Sequence, residues 1–150
     1  MAEFAISSAP DVLITIGLGS CVGIALYDKR SKIGGLLHIM LPTNKKDLKP
    51  AKYADTGIPH MIEEMEKKGA KKRRMVAKIA GGAQMFSMGG DNSGLKVGER
   101  NVIKVKDILK EKNIDIIGED VGKNYGRTMK FYTEDGKVLI TSHRQDDNIL

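Results

Sequence analysis

The chain has 150 residues, a net charge of +6 and a single cysteine. That length suits one domain with a core that needs neither disulfides nor a metal, and a lone cysteine forms no internal disulfide, which excludes a disulfide-built secreted scaffold and fits a reducing cytosol. No segment nears the ~20 apolar residues of a membrane span, and the opening MAEFAISSAP has neither a basic start nor a long apolar run, so no signal peptide is expected.

In chain order, Asp11–Gly17 (DVLITIG) is rich in β-branched residues and predicts a strand. CVGIALYD (21–28) and KIGGLLHIML (32–41) predict two more, joined by a short charged turn. DTGIPHMIEEMEKKGA (55–70) predicts a helix, with Ile58, Met61, Ile62 and Met65 at helical spacing and Gly69 as its stop. Pro59 must then lie in the first turn or kink the helix. MVAKIAGGA (75–83) predicts a strand entering a glycine loop, after which Met85 and Met88 line a surface. GERNVIKVKDILKEKN (98–113) predicts a second helix, its apolar side made by Val102, Ile103, Val105, Ile108 and Leu109. IDIIGEDVG (114–122) predicts a strand, and RTMKFYTEDGKVLITSH (127–143) a hairpin around Glu134–Gly136. No repeat or linker interrupts residues 1–150. The pattern predicts a single α/β (α+β) domain of mostly antiparallel or mixed sheets with helices packed outside.

The cysteine sits in TIGLGSCVGIALYD (15–28), a tight glycine turn that offers little packing. An inert cysteine prefers an apolar interior, whereas a reactive one needs access and a neighbour that stabilises its thiolate. If Lys29-Arg30 is the tip of a hairpin, Asp28 faces Ser31 and Cys21 faces His38 on the same side of the sheet. The imidazole then takes the thiol proton. Thr15, at the end of the preceding strand, folds back through the Gly17–Gly19 turn to hold the ring, by its hydroxyl or its carbonyl. Backbone N–H groups of Gly19, Ser20 and Cys21 are candidates to stabilise an oxyanion and the thiolate. A register slip at Gly34-Gly35 would separate Cys21 from His38. From spacing alone, a buried, inert cysteine beside an incidental histidine fits as well.

The same glycines fit no nucleotide loop: no Lys follows them, and Val22 stands where a dinucleotide fingerprint needs its third glycine. His38, His60 and His143 are scattered without ligand spacing, so no metal and no cofactor is expected. His60 is expected on a helix surface and His143 in the tail. The basic run KKGAKKRR (67–74) suits either a phosphate backbone or a solvated helix end. The second reading is preferred, because no aromatic side chains interleave for base stacking.

TIGLGSCVGIALYD, GGLLHIMLP, KYADTGI, KIAGGAQMF, VGERN and GKNYGR, in that order, resemble the CheD family of chemotaxis proteins from about Val12 to Tyr132. The resemblance implies a cytoplasmic glutamine deamidase acting on the coiled-coil cytoplasmic domains of chemoreceptors. It assigns Cys21 as nucleophile, His38 as general base and acid, and Thr15 as the residue that orients the His. It further implies a sandwich fold like the catalytic domain of cytotoxic necrotizing factor. The implied partners are a CheC-type phosphatase and, through it, phosphorylated CheY, with no nucleic acid and no membrane insertion. Lys123 stands where the family commonly has a second glycine. A non-catalytic partner of CheC and receptors is the alternative, and a nucleic-acid binder using the basic run is a third.

Overall fold

A computed structural model describes residues 3–46, 48–85 and 96–150. Nine strands and two α-helices follow in chain order among them: β1 (Phe4–Ser8), β2 (Val12–Leu18), β3 (Val22–Asp28), β4 (Ile33–Ile39), α1 (Ala54–Lys67), β5 (Met75–Gly81), α2 (Val97–Glu111), β6 (Asp115–Val121), β7 (Arg127–Tyr132), β8 (Val138–Thr141) and β9 (Asn148–Ile149). Every predicted element is present, and the α+β expectation holds. Two elements were not foreseen. β1 lies in the N-terminal stretch that carried no strand signal, and β9 is only two residues long.

The strands form a five-stranded sheet, ordered β1-β4-β3-β5-β6, and a four-stranded sheet, ordered β2-β7-β8-β9. All pairings are antiparallel except β5 with β6, which run parallel because α2 crosses between them. The five-stranded sheet is the middle layer. Ile24, Leu26, Leu37 and Ile79 pack on one side against Ile58, Met61, Met65, Val105 and Leu109 of the helices. Ala25, Tyr27, Leu36 and Ala80 pack on the other against Met129, Phe131, Val138 and Ile140 of the second sheet. This double burial explains why all seven positions of β3 and of β4 are buried, charged and glycine residues included.

Both helices end in the same motif. At α1, Gly69 (φ 110°) donates to Glu66 O and Ala70 to Met65 O. At α2, Asn113 (φ 59°) donates to Lys110 O and Ile114 to Leu109 O. Each pair satisfies carbonyls that the last turn would otherwise leave open. Pro59 lies inside α1 rather than in its first turn.

The basic run is mostly a solvated helix end and turn, with Lys67, Lys68, Lys71 and Arg73 exposed, but it also anchors a buried carboxylate. Lys67 sits in the last turn of α1, the Lys71 amide donates to Asp28, and Arg74 forms a two-pronged ion pair with that fully buried carboxylate. Burial alone would raise the Asp28 pKa. The Arg74 guanidinium and the amides of Lys71 and Arg30 outweigh it and hold the carboxyl well below the usual range. Met85 is 44% exposed, as expected of a surface methionine, whereas Met88 lies outside the described residues. No described helix is long and apolar enough to cross a membrane.

Candidate active site

The β3–β4 hairpin differs from its predicted register by two residues. Its turn spans four residues rather than two, with Lys32 in the left-handed region (φ 55°), so Asp28 pairs with Ile33 and Gly23, not Cys21, with His38. A shift of two leaves every side chain on its predicted face. Cys21, just before β3, is therefore a diagonal neighbour of His38 on the side facing the second sheet. It packs there beside Leu18 and Met129. Diagonal neighbours lie about 7–8 Å apart at Cα. His38 Nε2 accordingly has no hydrogen-bond partner among the described residues, the thiol included.

Thr15 does reach the imidazole, its Oγ1 standing 2.8 Å from His38 Nδ1. Two features of the sheets deliver it. β2 pairs with β7 up to Thr15↔Met129 and resumes at Leu18↔Arg127, so Ile16 and Gly17 form a bulge, with Gly17 at φ 77°. Gly23, opposite His38, supplies the room: a Cβ there would lie 2.8 Å from Met129 Sδ and 3.4 Å from Thr15 Cγ2. Met129 and Leu18, the latter 3.0 Å from that Cβ position, occupy the space that a side chain at position 23 would fill, and the Thr15 methyl lies in ordinary contact beside it.

The turn carrying the cysteine is held from behind. Ala83 N–H donates to Gly19 O and Gly82 N–H to Cys21 O, both at 2.8 Å. Gly81 is required by this approach, since a Cβ on it would stand 2.2 Å from Cys21 O. Of the three expected oxyanion donors, the Gly19 amide is committed to Gly17 O at 3.1 Å. The amides of Ser20 and Cys21 donate to no other residue's backbone among the described residues.

Burial pushes the Cys21 thiol up and the His38 imidazole down. Both shifts favour the uncharged forms, a thiol and a neutral imidazole, against the thiolate expected from the turn. A cleft of about 240 Å³ lined by Glu3, Leu13, Thr15, Leu36 and His38 opens on one side of the site. A second, of about 570 Å³, runs from Gly17 and Met85 to Arg127 and Arg144. Between them β2 turns Val12, Ile14 and Ile16 outward, at 44%, 53% and 69% exposure. His60 stacks edge-on against Phe4 at 5.0 Å, on α1 as expected. His143 is exposed after β8 and lines the larger cleft. No cluster of three or more potential metal ligands occurs among the described residues.

Asn101 is a residue the sequence reading passed over. It is fully buried on α2, and its Nδ2 donates to Ser20 O at 2.9 Å and to Met40 O at 3.0 Å. The available signal was an amide on the buried side of a helix, in line with Gly98, Val105 and Leu109.

A thiol in a glycine turn, near an imidazole anchored by a hydroxyl, is equipment for acyl transfer through sulfur. The chain belongs to the CheD family: the family described as CheD chemotactic sensory transduction matches residues 40–142, and close relatives align over almost the whole chain. Proteins named probable chemoreceptor glutamine deamidase CheD match it from Caldanaerobacter subterraneus subsp. tengcongensis (52% identity; 93% of this chain and 88% of the relative), Syntrophomonas wolfei (49%; 100% and 95%) and Clostridium botulinum Eklund 17B (51%; 93% and 88%).

Proposed function

We propose that this protein is a cytoplasmic chemoreceptor glutamine deamidase working through Cys21, His38 and Thr15. The observation that carries the mechanism is the Thr15–His38 contact at 2.8 Å together with a buried, unpartnered Nε2. With Nδ1–H donated to Thr15 Oγ1, Nε2 keeps its lone pair and is the ring atom free to take a proton. As a glutamine side chain enters, the thiol swings toward the ring and passes its proton to Nε2. Catalytic hydrogen bonds often close only in the substrate complex.

The sulfur attacks the amide carbon, and the oxygen takes the negative charge in reach of the Ser20 and Cys21 amides. Collapse breaks the C–N bond, and Nε2–H gives its proton to the nitrogen, which leaves as ammonia. Water then attacks the thioester with Nε2 as base. The C–S bond breaks, and glutamate leaves with the thiol restored. Because the resting thiol is neutral, proton transfer to His38 is part of the attack itself.

The partners follow the family: the receptor coiled coil as substrate, a CheC-type phosphatase as regulator, and phosphorylated CheY acting through it. The test is high-resolution intact mass of a receptor cytoplasmic fragment after incubation. Wild type adds about one dalton per modified site as NH2 becomes OH, and Cys21→Ala adds none. A Cys21→Ala protein that still deamidates would overturn the mechanism. One that fails to deamidate yet sustains receptor-dependent signalling would favour the non-catalytic partner.

A further inference from the structure

Three consecutive carbonyls of the nucleophile turn are each held by a donor from just past the end of β5 or from α2. Gly19 O accepts from Ala83 N–H, Ser20 O from Asn101 Nδ2 and Cys21 O from Gly82 N–H. In a trans peptide the N–H points opposite to the C=O. Tying down Gly19 O therefore turns the Ser20 amide away from the frame, and tying down Ser20 O does the same for the Cys21 amide. These are the two amides that donate to no other residue's backbone among the described residues.

Two of the three holds are main-chain groups. The third is a side chain, and its chemistry is unambiguous. Both neighbours of the Asn101 amide within hydrogen-bond range on that side are carbonyl oxygens, so the nitrogen faces them and Oδ1 points elsewhere. Oδ1 is buried without a partner. An apolar residue would avoid that desolvation loss, so packing alone does not account for the amide. Its second bond, to Met40 O, reaches the chain just beyond β4, two residues past His38. One amide thus links the nucleophile turn to the strand that carries the base.

We propose that Asn101 is a positioning residue: its side-chain amide sets the Ser20–Cys21 peptide so that the Ser20 and Cys21 N–H groups face the oxygen of the substrate amide. The proposal rests on the Cys21 mechanism above. A clash in the frame would show in folding, whereas a misaimed oxyanion site shows in turnover.

The test compares Asn101→Leu, which removes the donor, and the isosteric Asn101→Asp, which sets a carboxylate against two carbonyls. Full-length proteins are assayed on a purified receptor cytoplasmic fragment, and Cys21 is separately alkylated with iodoacetamide. Losing one oxyanion donor costs about 10²–10³ in kcat, and misaiming donors that remain is expected to cost roughly 10–100-fold, with KM unchanged. Alkylation builds no oxyanion, so its rate should stay within about threefold of wild type. Asn101→Asp should recover part of its loss as pH falls and its carboxyl becomes a donor, while Asn101→Leu should not. Folded variants with kcat within about threefold of wild type would overturn the proposal, as would loss of a cooperative melt in both. Deamidation by Cys21→Ala would instead overturn the mechanism beneath it.

Discussion

The two nitrogens of His38 are treated differently: Nδ1 meets the Thr15 hydroxyl, and Nε2 has no hydrogen-bond partner among the described residues. His38→Ala is expected to lower deamidation by roughly 10²–10⁴-fold, the usual worth of a positioned acid–base group. The pH profile carries a finer signature. Burial lowers the His38 pKa, so the neutral, active form persists below the ordinary imidazole range. The acid limb of kcat/KM should therefore fall below about 6.5, the unperturbed value. Burial raises the Cys21 thiol, so iodoacetamide should react at neutral pH no faster than with a model thiol peptide, and accelerate only at alkaline pH. Fast alkylation at pH 6 would contradict the neutral resting pair. Thr15 separates by a pair of variants. Ser keeps the hydroxyl that meets Nδ1, and Val keeps the shape without it. Thr15→Ser should stay active, and Thr15→Val should lose turnover with little change in melting temperature.

At the scale of elements, the glycines decide how closely the sheets approach. Gly23→Ala would press a methyl into Met129 and Leu18, and should cost about 1–3 kcal/mol, read as a lower melt. Lys123 makes the opposite case. It adopts φ 63° directly after Gly122 at φ 80°, and its carbonyl accepts from the Gln84 amide. A left-handed conformation costs a side chain about 1–2 kcal/mol, which is a physical reason for the glycine that the resemblance leads one to expect here. Lys123→Gly is expected to raise stability by up to ~1 kcal/mol in urea denaturation, net of glycine's chain entropy.

These positions also show what was legible in the chain. Periodicity located α1 and α2 because their apolar faces are amphipathic, and the strands because they are bounded by turns. The face shared by Cys21 and His38 was legible because alternation survives an even shift. The register was not, because it depended on a left-handed Lys32 that no residue type announces. β1 was hidden because it is a five-residue edge strand, FAISS, with one β-branched residue and no alternation long enough to read. Asn101 was hidden because its role is a bond to main-chain carbonyls distant in sequence.

For the whole molecule, charge and one buried pair set the response to solution conditions. A chain of net charge +6 would approach an acidic substrate surface faster than a neutral chain would. Raising salt from about 0.05 to 0.5 M should lower kcat/KM while leaving kcat nearly unchanged, because encounter is screened and the enclosed chemistry is not. Asp28 governs the acid side of stability. Its folded pKa is depressed, so its contribution is complete above the unfolded value near 4 and is lost as pH falls toward the folded one. Asp28→Ala should destabilise at neutral pH by leaving Arg74 and the Lys71 and Arg30 amides without their acceptor, and should flatten the acid limb of a stability curve. The pairing of Thr15 with Met129 has a consequence for biosynthesis. The nucleophile and the base are translated early, but the strand that positions Thr15 beside the base is completed only when β7 arrives, after most of the chain has been made. A ribosome-bound intermediate thus carries Thr15, Cys21 and His38 before β7 is present to pair with the strand that holds the hydroxyl. The chain becomes competent for its chemistry only near the end of synthesis.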